Sequence, residues 1–148
     1  MAYDGLLCGA VAREFASLLP GSKIEKVMQP ESDMLILQIK TASERKKLLI
    51  DVSSAGSRIH FTDLSYENPQ EAPNFCMLLR KHIQGGRILS VLQPEGERII
   101  QIEVETVSEM GYSLNKRLIA ETMGKRSNII LTDAETGKII DSIKRISI

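Results

Sequence analysis

Tryptophan is absent from this chain and aromatic residues make up only 4% of it, so a core has to be built from Ile, Leu, Val and Met. No apolar run approaches the ~20 residues that a membrane helix requires. Met1-Ala2-Tyr3-Asp4 offers no basic start for a secretion signal, and Asp4, Arg13 and Glu14 interrupt any apolar stretch behind it. Neither sign of charge is in excess, with 19 basic residues against 19 acidic ones. A small autonomous nucleic-acid binder is usually basic overall, so this balance argues mildly against one and leaves room for a localised basic patch or for charge carried by other domains. Cysteine is nearly missing: Cys8 and Cys76 both fall in apolar segments that read as helices. Without a secretion signal they are expected to be reduced core thiols, in a cytoplasmic protein with no membrane partner.

Chemical motifs are scarce as well. There is no GxGxxG, P-loop or GxSxG, and nothing with the spacing of CxxC or HxxxH. The two histidines, His60 and His82, read as a strand position and a helix-surface position rather than as general bases. No catalytic residue, metal or cofactor is expected. What remains is an apolar fraction of 43% in 148 residues, enough for one globular domain with its own core.

The chain does repeat itself. Gly21-Ser22-Lys23-Ile24-Glu25-Lys26-Val27-Met28-Gln29-Pro30-Glu31 lies over Gly85-Gly86-Arg87-Ile88-Leu89-Ser90-Val91-Leu92-Gln93-Pro94-Glu95 at an offset of 64, and the match is carried as far as Ile36 over Ile100. At an offset of 70, Lys47-Leu48-Leu49 lies over Arg117-Leu118-Ile119, and Ser57 to Asp63 over Ser127 to Asp133. Two copies of one supersecondary unit, about 4–64 and 74–133, account for this order. Each unit opens with a helix: Asp4 as N-cap with Leu7, Ala10, Val11, Phe15 and Leu18, then Asn74 as N-cap with Phe75, Leu78, Leu79 and Ile83. A hairpin follows, its turn opened by Pro30 or Pro94, and a second hairpin turns at Ser54-Ala55-Gly56-Ser57 or Met123-Gly124-Lys125-Arg126. Ile100, Ile102 and Val104 alternate with polar residues, as a sheet with one wet face requires. A last hairpin turns at Ala134-Glu135-Thr136-Gly137. The expected fold is α+β: antiparallel hairpins in a sandwich or flattened barrel with two flanking helices. The ending Lys144-Arg145-Ile146-Ser147-Ile148 reads like a strand cut short, and a longer multidomain protein is expected.

A duplicated scaffold keeps shared residues for packing, so departures between copies are candidates for function. Glu97-Arg98 stands against Asp33-Met34, an arginine for an apolar residue beside a hairpin turn. A guanidinium fork there suits phosphate or base edges; a surface ion pair is the plainer account, and residue types alone favour it. Lys125, Arg126 and Asn128 stand against a less basic turn, and with Lys116 and Arg117 they are expected to form a small positive patch. Arg80 and Lys81, beside His82, add a basic helix face, of a kind that is more often simply solvated.

The segments Phe75-Cys76-Met77-Leu78-Leu79-Arg80-Lys81-His82, Gly85-Gly86-Arg87-Ile88, Ser57-Arg58-Ile59-His60 and Glu121 to Leu131, with the opening Tyr3-Asp4-Gly5, closely resemble the NFACT-N domain of the fibronectin-binding-protein-A-like family that includes RqcH and NEMF. The resemblance spans nearly the whole chain. It implies tRNA and the large ribosomal subunit carrying obstructed peptidyl-tRNA as partners, and a role in carboxy-terminal alanine tailing of the nascent chain. It also places the family's Asp-Arg signature on Glu97-Arg98, with a longer acid here, and puts Arg126 where the family has a histidine. Its older name implies fibronectin binding as an alternative. The fold is similar to the amino-terminal domain of formamidopyrimidine-DNA glycosylases, but Ala2 stands where those enzymes use a proline amine, so a glycosylase is disfavoured.

Overall fold

The computed structural model describes residues 13–53, 56–94, 98–122 and 126–144. The expected cap Asp4, helix positions Leu7, Ala10 and Val11, Cys8, the turn residues Ser54-Ala55 and Met123-Gly124-Lys125, and Glu97 lie outside the described residues. A helical segment at 13–18 (α1) precedes β1 (Lys23–Glu31), β2 (Met34–Lys40), β3 (Arg45–Asp51) and β4 (Arg58–Thr62). Then come α2 (Asn74–His82), β5 (Arg87–Leu92), β6 (Ile99–Val107), β7 (Ser113–Glu121), β8 (Asn128–Asp133) and β9 (Ile139–Ser142). The fold is α+β. Nine antiparallel strands run in the order β4-β3-β2-β1-β5-β6-β7-β8-β9. The strands expected in a sandwich or flattened barrel are thus hydrogen-bonded as one continuous ladder.

The seam between β1 and β5 joins a four-stranded half, β1 to β4, to a five-stranded one, β5 to β9, and it is symmetric. Gly21 N–H donates to Ile88 O at 2.7 Å and Gly85 N–H to Ile24 O at 2.7 Å. Ile24 N–H donates to Gly86 O at 2.9 Å and Ile88 N–H to Ser22 O at 2.8 Å. Each bond maps onto its mate by the 64-residue offset. Gly21 and Gly85 adopt φ of +87° and +88°, a left-handed turn where a side chain would be strained. A β-bulge follows at the same place in each half, between Ile24 and Lys26 and between Ile88 and Ser90. A bulge tightens twist, so both halves leave the seam at matching angles.

Past the first hairpin the offset is 65, not 64. Val27 pairs with Leu37 where Val91 pairs with Ile102, and Met34 pairs with Asp51 where Ile99 pairs with Glu121. The turn of the second half is therefore one residue longer. It follows that Arg98 occupies the place of Asp33, not of Met34, whose counterpart is Ile99. The main chain agrees: Val52 N–H donates to Asp33 O and Thr122 N–H to Arg98 O, both at 2.9 Å. The arginine has not displaced a core residue. Pro30 also sits within β1 rather than opening the turn, which falls at Ser32 and Asp33.

One apolar cluster spans both halves. The core faces of β2 and β6 present Leu35, Leu37, Ile39 and Ile100, Ile102, Val104, all essentially buried. Each such side chain contributes roughly 1.5–3 kcal/mol on leaving water. Phe15 and Leu19, from and just after α1, match Leu79 and Ile83 of the α2 region at the same offset, and all four are buried. Phe15 meets Phe61 edge-on at 4.8 Å between ring centroids. At the start of α2 the Asn74 side chain makes no capping bond; the preceding residue, Pro73, takes the cap position and its carbonyl receives Met77 N–H.

After the bulge, the main-chain groups of Val27 are met by the α2 region. Val27 N–H donates to Gln84 Oε1, and Val27 O accepts from Arg80 Nε at 3.0 Å and from the Cys76 thiol at 3.4 Å. Cys76 is a buried free thiol, and burial pushes its pKa up. His60 lies on β4 opposite Leu49, a strand position as expected. No described helix is long and apolar enough to cross a membrane.

Candidate nucleic-acid interface

Strand alternation decides which candidate cations can act together. Lys116 and Arg117 are neighbours on β7, so their side chains leave opposite faces of the sheet. Lys116 is 8% exposed and shares the core-side face with Leu118 and Ala120. Arg117, on the other face, donates from Nη2 to Glu103 Oε1 at 3.1 Å across the β6–β7 pair. The expected single patch containing both residues is therefore corrected by the pleat of the strand.

Asn128 is also reassigned. Its Nδ2 donates to Lys144 O at 3.0 Å, and its Oδ1 accepts from Lys144 N at 3.0 Å and Ile129 N at 2.9 Å. The side chain is 7% exposed and ties the start of β8 to the segment after β9. An amide engaged this way is a structural bridge between two segments. Arg126, just before β8, is exposed. Lys125 lies outside the described residues.

Arg98 sits at the entrance of β6, half-buried, with its carbonyl held by Thr122 N–H at 2.9 Å and by Thr122 Oγ1 at 3.1 Å. Two bonds from one threonine fix the backbone that carries the guanidinium. Glu97, its partner in the expected pair, lies outside the described residues.

Arg80 and Lys81 occupy the last turn of α2 with His82, where cations complement the helix dipole. Arg80 is exposed but its Nε is engaged on Val27 O. Lys81 is exposed and lines a groove of about 640 Å³ between the end of α2 and the β6–β7 hairpin. His82, Arg87, Leu114 and Lys116 line it too, as do Glu105 and Glu109. Burial comes first in lowering the His82 pKa, and the charges of Lys116 and Lys81 lower it further. Of the expected cations, then, the structure brings Lys81 and Lys116 together and separates them from Arg98, Arg117 and Arg126. Sequence inspection missed Arg87 in this groove; the signal for it was its place just after Gly85-Gly86, the seam turn. Among the described residues no group of His, Cys, Asp and Glu is arranged to hold a metal.

Fold and site define a duplicated, sheet-based α+β domain that displays cations at strand and helix ends. The family described as NFACT N-terminal and middle domains matches residues 4–148, and the chain belongs to that family. It is 40% identical over 147 residues to the Rqc2 homolog RqcH of Bacillus subtilis, covering 99% of this chain and 26% of that protein. Against the human ribosome quality control complex subunit NEMF it is 27% identical over 126 residues, covering 85% of this chain and 11% of that protein. The chain thus spans about a quarter of the length of the bacterial relatives. Among solved structures, the N-terminal part of the fibronectin/fibrinogen-binding protein of Streptococcus suis superposes with a TM-score of 0.96 at 34% identity, covering 99% of this chain and 55% of that one. The N-terminal domain of the fibronectin-binding protein PavA of Streptococcus pneumoniae gives 0.95 at 36%, covering 98% and 55%.

Proposed function

We propose that this chain is the amino-terminal domain of a longer cytoplasmic ribosome quality control factor. It engages tRNA on large subunits that carry obstructed peptidyl-tRNA, and it supports alanine tailing of the stalled chain. The domain works by binding, with peptide bonds made by the ribosome rather than by its own side chains. The observation that carries this is likeness to RqcH along 99% of the chain. Arg98 is the residue assigned to tRNA, with Glu97 beside it. Support for that assignment is its place at a hairpin entrance on a backbone pinned by Thr122. A fork of donors on a fixed backbone suits phosphate or base edges.

The test is tRNA binding and co-sedimentation with purified large subunits, for the wild type and Arg98→Ala. Arg98→Ala is expected to weaken tRNA association by about tenfold or more while the domain stays folded, in line with loss of a charge-assisted contact of ~1.5–3 kcal/mol. Unchanged association would remove Arg98 from the function. A second reading, fibronectin binding, is favoured by the names of the structural neighbours. Salt-insensitive binding of the chain to immobilised fibronectin, with no affinity for tRNA, would establish it in place of the first, because phosphate contacts weaken steeply with salt.

A further inference from the structure

The two halves share a lysine that is used differently. Lys46 on β3 and Lys116 on β7 are counterparts at the offset of 70 fixed by the strand pairing. Lys46 is compensated: its Nζ lies 3.4 Å from Glu44 Oε1 and 4.9 Å from the centroid of the Phe61 ring. In the second half Glu44 is replaced by Leu114 and Phe61 by Leu131. Lys116 makes no ion pair among the described residues. Asp133, its cross-strand neighbour, feels its charge, but that carboxylate accepts from the Glu135 and Thr136 N–H groups. The stem of Lys116 is packed against the sheet while the residue lines the groove, so its charge stands there without an ion-pair partner and an anion entering the groove supplies one.

Other departures between the halves converge on the same groove. The hairpin between β2 and β3 closes through residues 41–44, while β6 and β7 stay paired two residues further, to Val107 and Ser113, before turning through residues 108–112, and this longer hairpin forms the groove's far wall. The helix end facing it carries Arg80-Lys81-His82 where the first half has Ala16-Ser17-Leu18. Of the two acids at the groove, Glu105 leaves β6 on the face opposite Val104 and Thr106, and Glu109 sits at the hairpin tip.

We propose that the groove between the end of α2 and the β6–β7 hairpin seats a backbone phosphate of RNA, held by Lys116 and Lys81. This rests on the tRNA-binding reading and extends it to a second contact. Lys116 is level with Val104, so the groove lies about 20 Å from Arg98 along β6, at ~3.3 Å per residue. An RNA strand touching both ends runs alongside the β6–β7 hairpin.

The experiment measures binding of this whole chain to unfractionated tRNA over a salt series. The variants are Lys116→Met, which keeps the buried stem, and Leu114→Glu, which returns the partner that Lys46 has. Leu114 is 41% exposed, so a glutamate there is tolerated by the fold. Both variants are expected to lower affinity about three- to tenfold and to reduce the slope of log affinity against log salt by about 0.7–0.9, one phosphate's worth. Wild-type affinity and slope in a folded Leu114→Glu overturn the groove while leaving the tRNA reading intact. A wild type that binds no tRNA, with Arg98 present, sinks that reading and the groove with it. Saturable binding of inorganic phosphate that Leu114→Glu abolishes, without any effect of that variant on tRNA, reassigns the groove to free phosphate and also overturns the proposal.

Discussion

The two halves of this molecule are built on the same seam, yet they treat their equivalent lysines and hairpins differently. In the first half, Glu44 and Phe61 surround Lys46, Glu25 holds Arg45 at 2.8 Å, and the β2–β3 turn is closed by mutual bonds between Thr41 and Glu44. In the second, the equivalent hairpin runs two residue pairs further and its turn residues Met110 and Tyr112 stand 83% and 67% exposed, while Lys116 lacks its counterpart's partners. Duplication lets one copy serve as scaffold while the other is modified, because the seam and core of the first already define the sheet. The family's activity is then best sought where the second half departs from the first, and stability where they agree.

Where they agree, substitutions should cost the same. Ile24 and Ile88 are both fully buried, both donate and accept across the seam, and both precede the bulge. Ile24→Ala and Ile88→Ala are each expected to lose about 2–5 kcal/mol of unfolding free energy in urea titrations, agreeing within about 1 kcal/mol. A larger gap would show that the halves share geometry but not energetics.

A smaller effect should separate them at one seam position. Gly86 and Ser22 are counterparts, but a Cβ on Gly86 would meet Val104 Cγ1 at 2.6 Å, Ile83 O at 2.9 Å and Glu105 O at 3.0 Å. Two of those atoms are backbone and cannot step aside. Gly86→Ala should therefore cost about 1–3 kcal/mol through overpacking, whereas Ser22→Ala should change the same urea midpoint by under about 1 kcal/mol. Equal costs would mean that the α2 end and β6 are loosely held.

The charge difference can be sharpened by titration. Burial, with Lys116 and Lys81, holds the His82 pKa below its usual 6.5. Lys116→Met removes one repelling cation and should raise the His82 midpoint in an NMR titration, without restoring it fully because burial remains. The sign for stability follows: a histidine with a depressed folded pKa favours the native state above pH 6.5 and loses that contribution as pH falls and the unfolded chain takes up the proton. A midpoint unmoved in Lys116→Met would place the ammonium away from the imidazole.

Much of this was legible in the residues. The offsets of 64 and 70 located both helices, the seam glycines and the β3–β4 and β7–β8 hairpins. The one-residue slip to 65 was not, because Leu35-Ile36 and Ile99-Ile100 match almost as well in either register. The pleat held the missing information: the core sets 35, 37, 39 and 100, 102, 104 differ by 65, and a slip of one residue turns every side chain to the other face. Reading Arg98 against Met34 followed from that slip. Grouping Lys116 with Arg117 ignored the same alternation. The groove itself depends on α2 lying beside a hairpin distant in sequence, a tertiary fact that no local pattern carries. Asn128 looked like a basic-turn residue because its partner, Lys144 O, belongs to a segment that only the fold brings near.

The mildest test concerns the hairpin that closes the second half. Asp133 turns the chain from β8 to β9, accepting from Thr136 N–H at 3.0 Å and Glu135 N–H at 2.9 Å. These bonds, that from Thr136 contributing most, hold its carboxyl below the usual carboxylate range despite some opposing burial. A depressed folded pKa contributes stability above the unfolded value of 3.8 and loses it as pH falls through the folded one. Asp133→Asn keeps the acceptor oxygen but removes the charge, so it should flatten the decline in melting temperature below about pH 4 while leaving the neutral-pH melt nearly unchanged. An acid profile identical to wild type would mean that the charge adds nothing to a turn the amide oxygen can hold, and that Lys116 finds no useful counter-charge in Asp133.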